Sequence, residues 1–191
     1  LDGDEHIISN FSYTGSGAAD TSNGLFKGLG GAVLGNGSLK DLNLMYASVT
    51  NVSQSGLIFG IAGSGANHLP NLTDLFAHGY LATVSDYGGL VGSTIDLSMA
   101  STSMNARRLM SAGAVSAGGH YHGGVIGYIT GNGASPSLTY SKLFNTANIL
   151  GGAIDAVGGV IGRYGGFNAA LSTFDIDQFE NRGIVYHTGN H

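Results

Sequence analysis

Gly88-Gly89-Leu90-Val91-Gly92 decides how the rest of the chain can fold, because close copies of this pentapeptide return at a constant interval. Gly123-Gly124-Val125-Ile126-Gly127 begins 35 residues later, and Gly158-Gly159-Val160-Ile161-Gly162 begins 35 residues after that. A fixed period of this length is typical of solenoids, propellers and other repeat architectures. The glycines of the three copies are therefore predicted to be structural: Gly88, Gly89, Gly92, Gly123, Gly124, Gly127, Gly158, Gly159 and Gly162.

A second recurring segment precedes the pentapeptide. It consists of a Leu or Phe, three further residues, a Gly or Asn in most copies, and a short apolar run; copies begin at Leu44, Leu75, Leu109, Phe144 and Phe179. Because Gly and Asn tolerate positive φ, the fifth position predicts a left-handed turn before a strand. Weaker copies of the pentapeptide begin near residue 30. We therefore predict an irregular or capping segment over residues 1–28 and a repeat array over residues 29–191.

The repeat is predicted to be all-β. A glycine at every five or six positions costs a helix about 1 kcal/mol each, whereas short strands fit between such glycines. Three strands per period suit one coil of a parallel β-solenoid, with a coil every 31–35 residues and equivalent strands paired about 4.8 Å apart. This stacking predicts a single buried row of Leu90, Val125 and Val160. A propeller or sandwich with antiparallel strands is the alternative fold.

Each period supplies more residues than one coil of this kind needs, so the surplus is predicted to loop out. The segments that differ most between copies are rich in Gly, Ser, Thr and Asn. Such composition favours loops. The predicted protruding loops are residues 93–105, 129–137 and 164–170.

Composition and charge limit the classes of function. The chain has 34 glycines but only 2 prolines, 42% hydrophobic residues and a net charge of -5, which disfavours both collagen and disorder. Seven basic residues against twelve acidic ones offer no basic surface for nucleic acid. No apolar stretch approaches the roughly 20 residues that span a bilayer, so no membrane insertion is predicted. The absence of cysteine removes disulfides, thiolate catalysis and Cys-ligated zinc.

The repeat resembles the GLUG-type repeat of large bacterial surface proteins, whose copies combine Asn-x-Gly-x-Val, a short spacer, and Val-Gly-Gly-aliphatic-aliphatic-Gly. Val157 to Gly162 and Tyr87 to Gly92 are similar to the second part of that pattern, and the similarity covers roughly residues 40–189. The resemblance implies a right-handed parallel β-helix in a secreted adhesin, a haemagglutinin-like protein or a non-catalytic segment of an immunoglobulin-cleaving protease. It also implies an extracellular or bacterial cell-surface location, and it carries over no catalytic residue.

The candidate binding residues are His120, Tyr121, His122 and Tyr128. His120 and His122 have the spacing that places two imidazoles on one face of a strand, which can chelate zinc or copper. Further ligands are missing locally, so we predict no metal and no cofactor. Tyrosine rings can stack on sugars, and the 35-residue period aligns Tyr87 with His122. We expect these residues to bind a host or environmental glycan or a matrix protein.

The leading prediction is a non-enzymatic, structural and adhesive solenoid that forms part of a longer polypeptide; the acidic start of the chain does not resemble a signal peptide. Two alternatives stay open. One is an extracellular polysaccharide lyase or hydrolase that uses Asp175, Asp177 and Glu180, although the alternation around them predicts that Asp175 and Asp177 face solvent. The other is a purely structural stalk that associates through the strand edges at its ends.

Overall fold

The computed structural model describes residues 1–29, 37–63, 71–97, 104–131, 137–152, 155–165 and 173–187. Within these ranges the chain forms β-strands and no α-helix, and every strand pairing is parallel. Among the described residues there is accordingly no helix with the length and apolar character needed to cross a bilayer.

The strands belong to three sheets. Their bounds are β1 Ile7–Ser9, β2 Ser12–Thr14, β3 Phe26–Leu29, β4 Ser38–Val52, β5 Phe59–Ala62, β6 Asn71–Thr83, β7 Tyr87–Gly89, β8 Gly92–Asp96, β9 Met104–Ala117, β10 Tyr121–Gly123, β11 Ile126–Thr130, β12 Ser137–Asn145, β13 Asn148–Gly151, β14 Ala156–Gly158, β15 Ile161–Tyr164, β16 Thr173–Asn181 and β17 Val185–His187. The long sheet has the order β1-β4-β6-β9-β12-β16, with β2 beside β4 and β13 between β9 and β17. A short sheet has the order β14-β10-β7, and a third has the order β15-β11-β8-β5-β3.

The chain visits these sheets in the same sequence on every turn, which makes it a parallel β-solenoid. One turn runs through β6, β7 and β8, the next through β9, β10 and β11, and the next through β12, β13, β14 and β15. The turn formed by β4 and β5 precedes them. The strands β1, β2 and β3 of the first 29 residues pair in parallel with β4 and β5, and β16 and β17 extend the long sheet at the other end. The predicted all-β parallel solenoid is confirmed.

The predicted buried row of Leu90, Val125 and Val160 is wrong at Leu90, whose place is taken by the next residue, Val91. The Val91 amide donates to the Val125 carbonyl at 3.0 Å, and the Val125 amide donates to the Val160 carbonyl at 2.9 Å. Leu90 instead donates to the Gly124 carbonyl. All these apolar side chains are buried, but the row consists of Val91, Val125 and Val160, because Gly92 pairs with Ile126, 34 residues later rather than 35.

The correct register reveals why glycine recurs at the corner between the short sheet and the third sheet. One row contains Gly56, Gly89, Gly123 and Gly158, and in each of them a Cβ would lie 1.9 to 2.5 Å from the carbonyl oxygen three residues ahead. The chain folds back on itself too tightly at this point for any side chain. The remaining predicted glycines lie around the same corner, where Gly124 would place a Cβ 2.3 Å from the Gly159 oxygen of the next turn.

The left-handed turn predicted at the Gly or Asn position occurs at Gly113, where φ is 114°. It is wrong at Asn148, and also at Gly79 and Gly183, which do not have a positive φ. Glycine is needed there because neighbouring turns approach closely: a Cβ on Gly79 would lie 2.1 Å from the oxygen of Ala47. Backbone contact between turns, rather than the dihedral angle, selects these glycines.

Five non-glycine residues with a left-handed backbone conformation form a row that the sequence pattern did not indicate. They share a φ between 52° and 57° and recur once per turn of the long sheet: Asp41, Asp74, Arg108, Lys142 and Gln178. Pairing skips each of them, since the residues on either side stay in register. Each therefore interrupts the pairing of its strand at the equivalent point of its turn. Four residue types occupy the row, and only the stacking shows their equivalence.

The predicted loops fall mostly on residues outside the described ranges, namely 98–103, 132–136 and 166–170. The described residues of these segments lie mostly in strands instead: residues 93–96 in β8, 104–105 in β9, 129–130 in β11, 137 in β12 and 164 in β15. Ser93 and Thr94 are also buried. The prediction is wrong for them, since their hydroxyls bond inside the turn; the Ser93 hydroxyl donates to the Tyr87 carbonyl at 3.1 Å.

We predict that Gly123→Ala lowers the free energy of unfolding by at least about 2 kcal/mol, because its Cβ would lie 2.0 Å from the Ile126 oxygen and the corner would have to open. Gly28→Ala is the matched control, since its Cβ would make only ordinary contacts at 3.7 Å or more. It should change stability by less than about 1 kcal/mol. Urea denaturation of both variants measures this difference, and equal stabilities would contradict the close-approach explanation.

Candidate binding site

Two of the predicted binding residues come together on the outer surface. Tyr121 in β10 and Tyr128 in β11 are both half-buried, and their ring centroids lie 5.1 Å apart. The tight glycine corner turns the chain between these two short strands. The fold thus brings together two side chains that lie seven positions apart in the sequence.

Two further residues complete a cluster that we call the tyrosine corner: Tyr87, Tyr121, Tyr128 and Arg163. Tyr87 pairs with Tyr121 one turn along the axis, and their rings stack at 5.3 Å with an interplanar angle of 9°. Tyr87 also lies 4.9 Å from the ring of Tyr128. Three tyrosine rings from two successive turns therefore pack on one another.

Arg163 comes from the third turn of the cluster, where it pairs with Tyr128 in the sheet. Its guanidinium carbon lies 4.4 Å from the ring centroid of Tyr121 and 5.6 Å from that of Tyr128. A guanidinium nitrogen also donates to the Tyr121 hydroxyl. Cation–π contact and this hydrogen bond hold the guanidinium beside the rings of Tyr121 and Tyr128. Among the described residues no carboxylate forms an ion pair with Arg163.

Tyr87 and Arg163 were missed by the sequence reasoning. The 35-residue period aligns Tyr87 with His122, whereas backbone pairing aligns it with Tyr121. That alignment is wrong because this turn is one residue shorter than the pentapeptide spacing suggests. Only the correct register places the two tyrosines in one row.

His120 lies at the edge of the tyrosine corner. Its ring centroid is 5.9 Å from that of Tyr121, and its Nδ1 lies 2.8 Å from an oxygen of Asp155 in the next turn. The backbone amides of His120 and Tyr121 both donate to the Asp86 carbonyl. His120 is therefore held at the surface by contacts to the turns before and after it.

His122 is fully buried in the core. Its Nε2 lies 2.6 Å from the Thr83 hydroxyl, and its Nδ1 has no hydrogen-bond partner. Burial, assisted by the nearby His120, lowers the pKa of His122 to about 4. The two imidazoles therefore do not act together, and His122 is not part of the surface cluster. Among the residues that the structure describes, no three potential ligands are grouped so as to hold a metal ion.

The acidic residues of the enzymatic alternative lie on β16. Asp175 and Asp177 are exposed, as predicted, but the alternation itself is wrong, because Ile176 and Gln178 are exposed as well. Glu180 lies on the other side of the left-handed Gln178 and is paired with Arg182 at 2.5 Å. The three carboxylates thus lie on both sides of this left-handed residue, and the enzymatic alternative stays a prediction.

Comparison of the chain with protein-family models, curated proteins and solved structures finds no match.

We predict that the buried His122 makes stability depend on pH. Unfolded histidine titrates near pH 6.5, but in the folded chain the pKa is about 4, so the unfolded state binds more protons between these values. This contribution is fully present above pH 6.5 and is lost on acidification to pH 4, a change on the order of 3 kcal/mol.

His122→Val should make stability less dependent on pH between pH 4 and 6.5. Valine suits this position because the equivalent residue of the next turn is Val157. His6→Val is the control, because the His6 side chain is 85% exposed. Chemical denaturation at several pH values tests both variants. A His122→Val profile as steep as that of the parent chain would assign the acid sensitivity to other groups.

Proposed function

We propose that this chain is a non-enzymatic adhesive segment of a bacterial surface or secreted protein, and that the tyrosine corner binds glycan or matrix protein. The observation that carries the proposal is the convergence of three tyrosine rings and one guanidinium, contributed by three successive turns, at distances of 4.4 to 5.6 Å. Such clusters of aromatic rings and arginine are typical of recognition surfaces.

The tyrosine corner offers different groups to a ligand at different points. The ring of Tyr121 lies between Tyr87 and Arg163, so it supports the cluster rather than presenting a free face. Tyr87 and Tyr128 are half-buried and offer ring edges and hydroxyls. The guanidinium of Arg163 keeps further N–H groups for hydrogen bonds to hydroxyl or carboxylate oxygens.

The mechanism is geometric. Sheet hydrogen bonds fix the backbone of every contributing turn, so binding orders few additional groups and costs little entropy. One corner makes only a few contacts, which suits weak binding that is strengthened when many copies act together. The similarity of the repeats to those of bacterial surface proteins also supports an extracellular location.

A second candidate function is a structural segment that associates through the edge formed by β16 and β17. Ile176, Ile184 and Tyr186 at this edge are 48%, 64% and 59% exposed. Among the described residues no further strand pairs with the outer edge of β16, and exposed apolar side chains at such an edge favour association with another strand. Scattering that shows elongation with rising concentration, without binding to any array, would favour this candidate over adhesion.

We expect binding to an array of glycans and matrix proteins, and we expect Tyr128→Ala and Arg163→Gln each to weaken it on the order of tenfold, a loss typical of a hot-spot residue. Tyr128→Ala removes the ring that contacts both Tyr87 and Tyr121. Arg163→Gln removes the positive charge and most of the N–H donors of the guanidinium.

Tyr80→Ala is the matched control, since Tyr80 is 42% exposed but lies on the long sheet. It should bind as the parent chain does. Thermal unfolding of all three variants verifies that the fold is intact. Binding that survives both corner substitutions, or an array without any hit, would refute adhesion through the tyrosine corner.

A further inference from the structure

An open groove of about 510 Å³ runs along the solenoid axis on the outer face of the long sheet. We call it the axial groove. It crosses β4, β6, β9, β12 and β16, and it lies on a different sheet from the tyrosine corner. Its outward side chains are an apolar row of Phe76, Met110 and Phe144, a polar row of Asp74, Arg108, Lys142 and Gln178, and the end residues Asn43 and Glu180.

The apolar row supplies one side chain per turn. Phe76 pairs with Met110 and Met110 pairs with Phe144. Met110 is 41% exposed and both phenylalanines are half-buried. The row therefore forms a narrow apolar floor with a repeat of about 4.8 Å along the axis.

The polar row follows the same repeat, because its members are the left-handed residues that interrupt the pairing of each strand. The Arg108 guanidinium donates two hydrogen bonds to the Asp74 carboxylate, and these bonds lower the pKa of Asp74. That pair is electrically neutral. Lys142 is exposed and, within the described ranges, makes no ion pair with a carboxylate.

The end of the groove adds no net charge. Glu180 is paired with Arg182 at 2.5 Å, and the Arg182 guanidinium carbon lies 5.3 Å from the ring centroid of Phe144. With both acid–base pairs neutral, Lys142 is the charged lining residue of the axial groove that no ion pair among the described residues balances. A ligand that carries negative charge complements it.

We propose that the axial groove binds a linear, carboxylate-bearing polysaccharide that lies along the solenoid axis. A sugar ring has apolar C–H faces and polar edges, so a row of rings fits an apolar floor beside a polar wall. A linear polysaccharide has one sugar ring per monomer, so its rings can follow side chains that repeat once per turn along the axis. Lys142 binds a carboxylate of the polymer, and Gln178 donates hydrogen bonds beside it.

An extended peptide fits the axial groove less well. Side chains on one face of a strand recur about every 6.6 Å, which does not match the spacing of the turns. A bound peptide also needs partners for its amides and carbonyls. The groove lies on the face of a sheet whose backbone groups are already paired between turns.

The test uses the 191-residue chain and two hexasaccharides with the same β-1,4 linkage, hexamannuronate and neutral cellohexaose. Calorimetry should show binding of hexamannuronate, with cellohexaose on the order of tenfold weaker. Met110→Glu places a negative charge on the exposed part of the floor and should weaken hexamannuronate binding at least about tenfold. Lys142→Gln should weaken it about fivefold and remove the preference for the acidic sugar.

Both variants should fold, because Met110 is exposed and Gln178 already occupies the left-handed position equivalent to Lys142. Thermal unfolding verifies this. Lys27→Gln is the matched control, since it also removes one exposed positive charge but lies on β3 of the third sheet, outside both the axial groove and the tyrosine corner. It should leave hexamannuronate binding unchanged. Equal affinity for the two sugars, no binding of either, or parent-like binding by Met110→Glu would overturn the proposal, without bearing on the tyrosine corner.

Discussion

Register between successive turns is the constraint on which the rest of this structure depends. In parallel sheets successive residues of a strand bond alternately to the turn before and to the turn after, so an error of one residue displaces a whole row of side chains. The corner occupied by Gly56, Gly89, Gly123 and Gly158 has a backbone clearance that admits no Cβ. These glycines permit the sharp reversal of the chain. Because the reversal occurs at the same point in every turn, the strands on either side keep the same register with the neighbouring turns.

The polar groups inside the solenoid obey the same constraint. Asn145 is fully buried, and its oxygen accepts hydrogen bonds from the Ser111 hydroxyl at 2.7 Å and from the Ala147 amide at 2.9 Å. Its NH₂ group donates to the Ala147 carbonyl at 3.0 Å and to the Asn181 side chain at 2.7 Å. One side chain thus closes a bend within its own turn and connects that turn to both neighbours. A shift in register would leave these buried groups unpaired, at a cost of about 1–3 kcal/mol each.

The outer surfaces acquire their properties from the same stacking. Side chains that share a row lie about 4.8 Å apart, so residues more than thirty positions apart become neighbours. At the tyrosine corner this brings aromatic rings against a guanidinium. On the long sheet it sets an apolar row beside a charged one. Both surfaces lie on strands that are hydrogen-bonded to neighbouring turns, which suits recognition by preorganised groups.

The sequence by itself determined the class of the fold. Its glycine period excludes long helices and predicts stacked strands, whereas the alternation around Asp175 and Asp177 fails, because Ile176 between them is 48% exposed as well. Only the tertiary structure decided which residues are equivalent. It placed Tyr87 with Tyr121, and it put His122 in the core while Tyr121 remains at the surface. The physical reason is that two registers one residue apart satisfy nearly the same glycine pattern. The choice between them rests on hydrogen bonds and packing summed over whole turns, which join residues distant in the sequence.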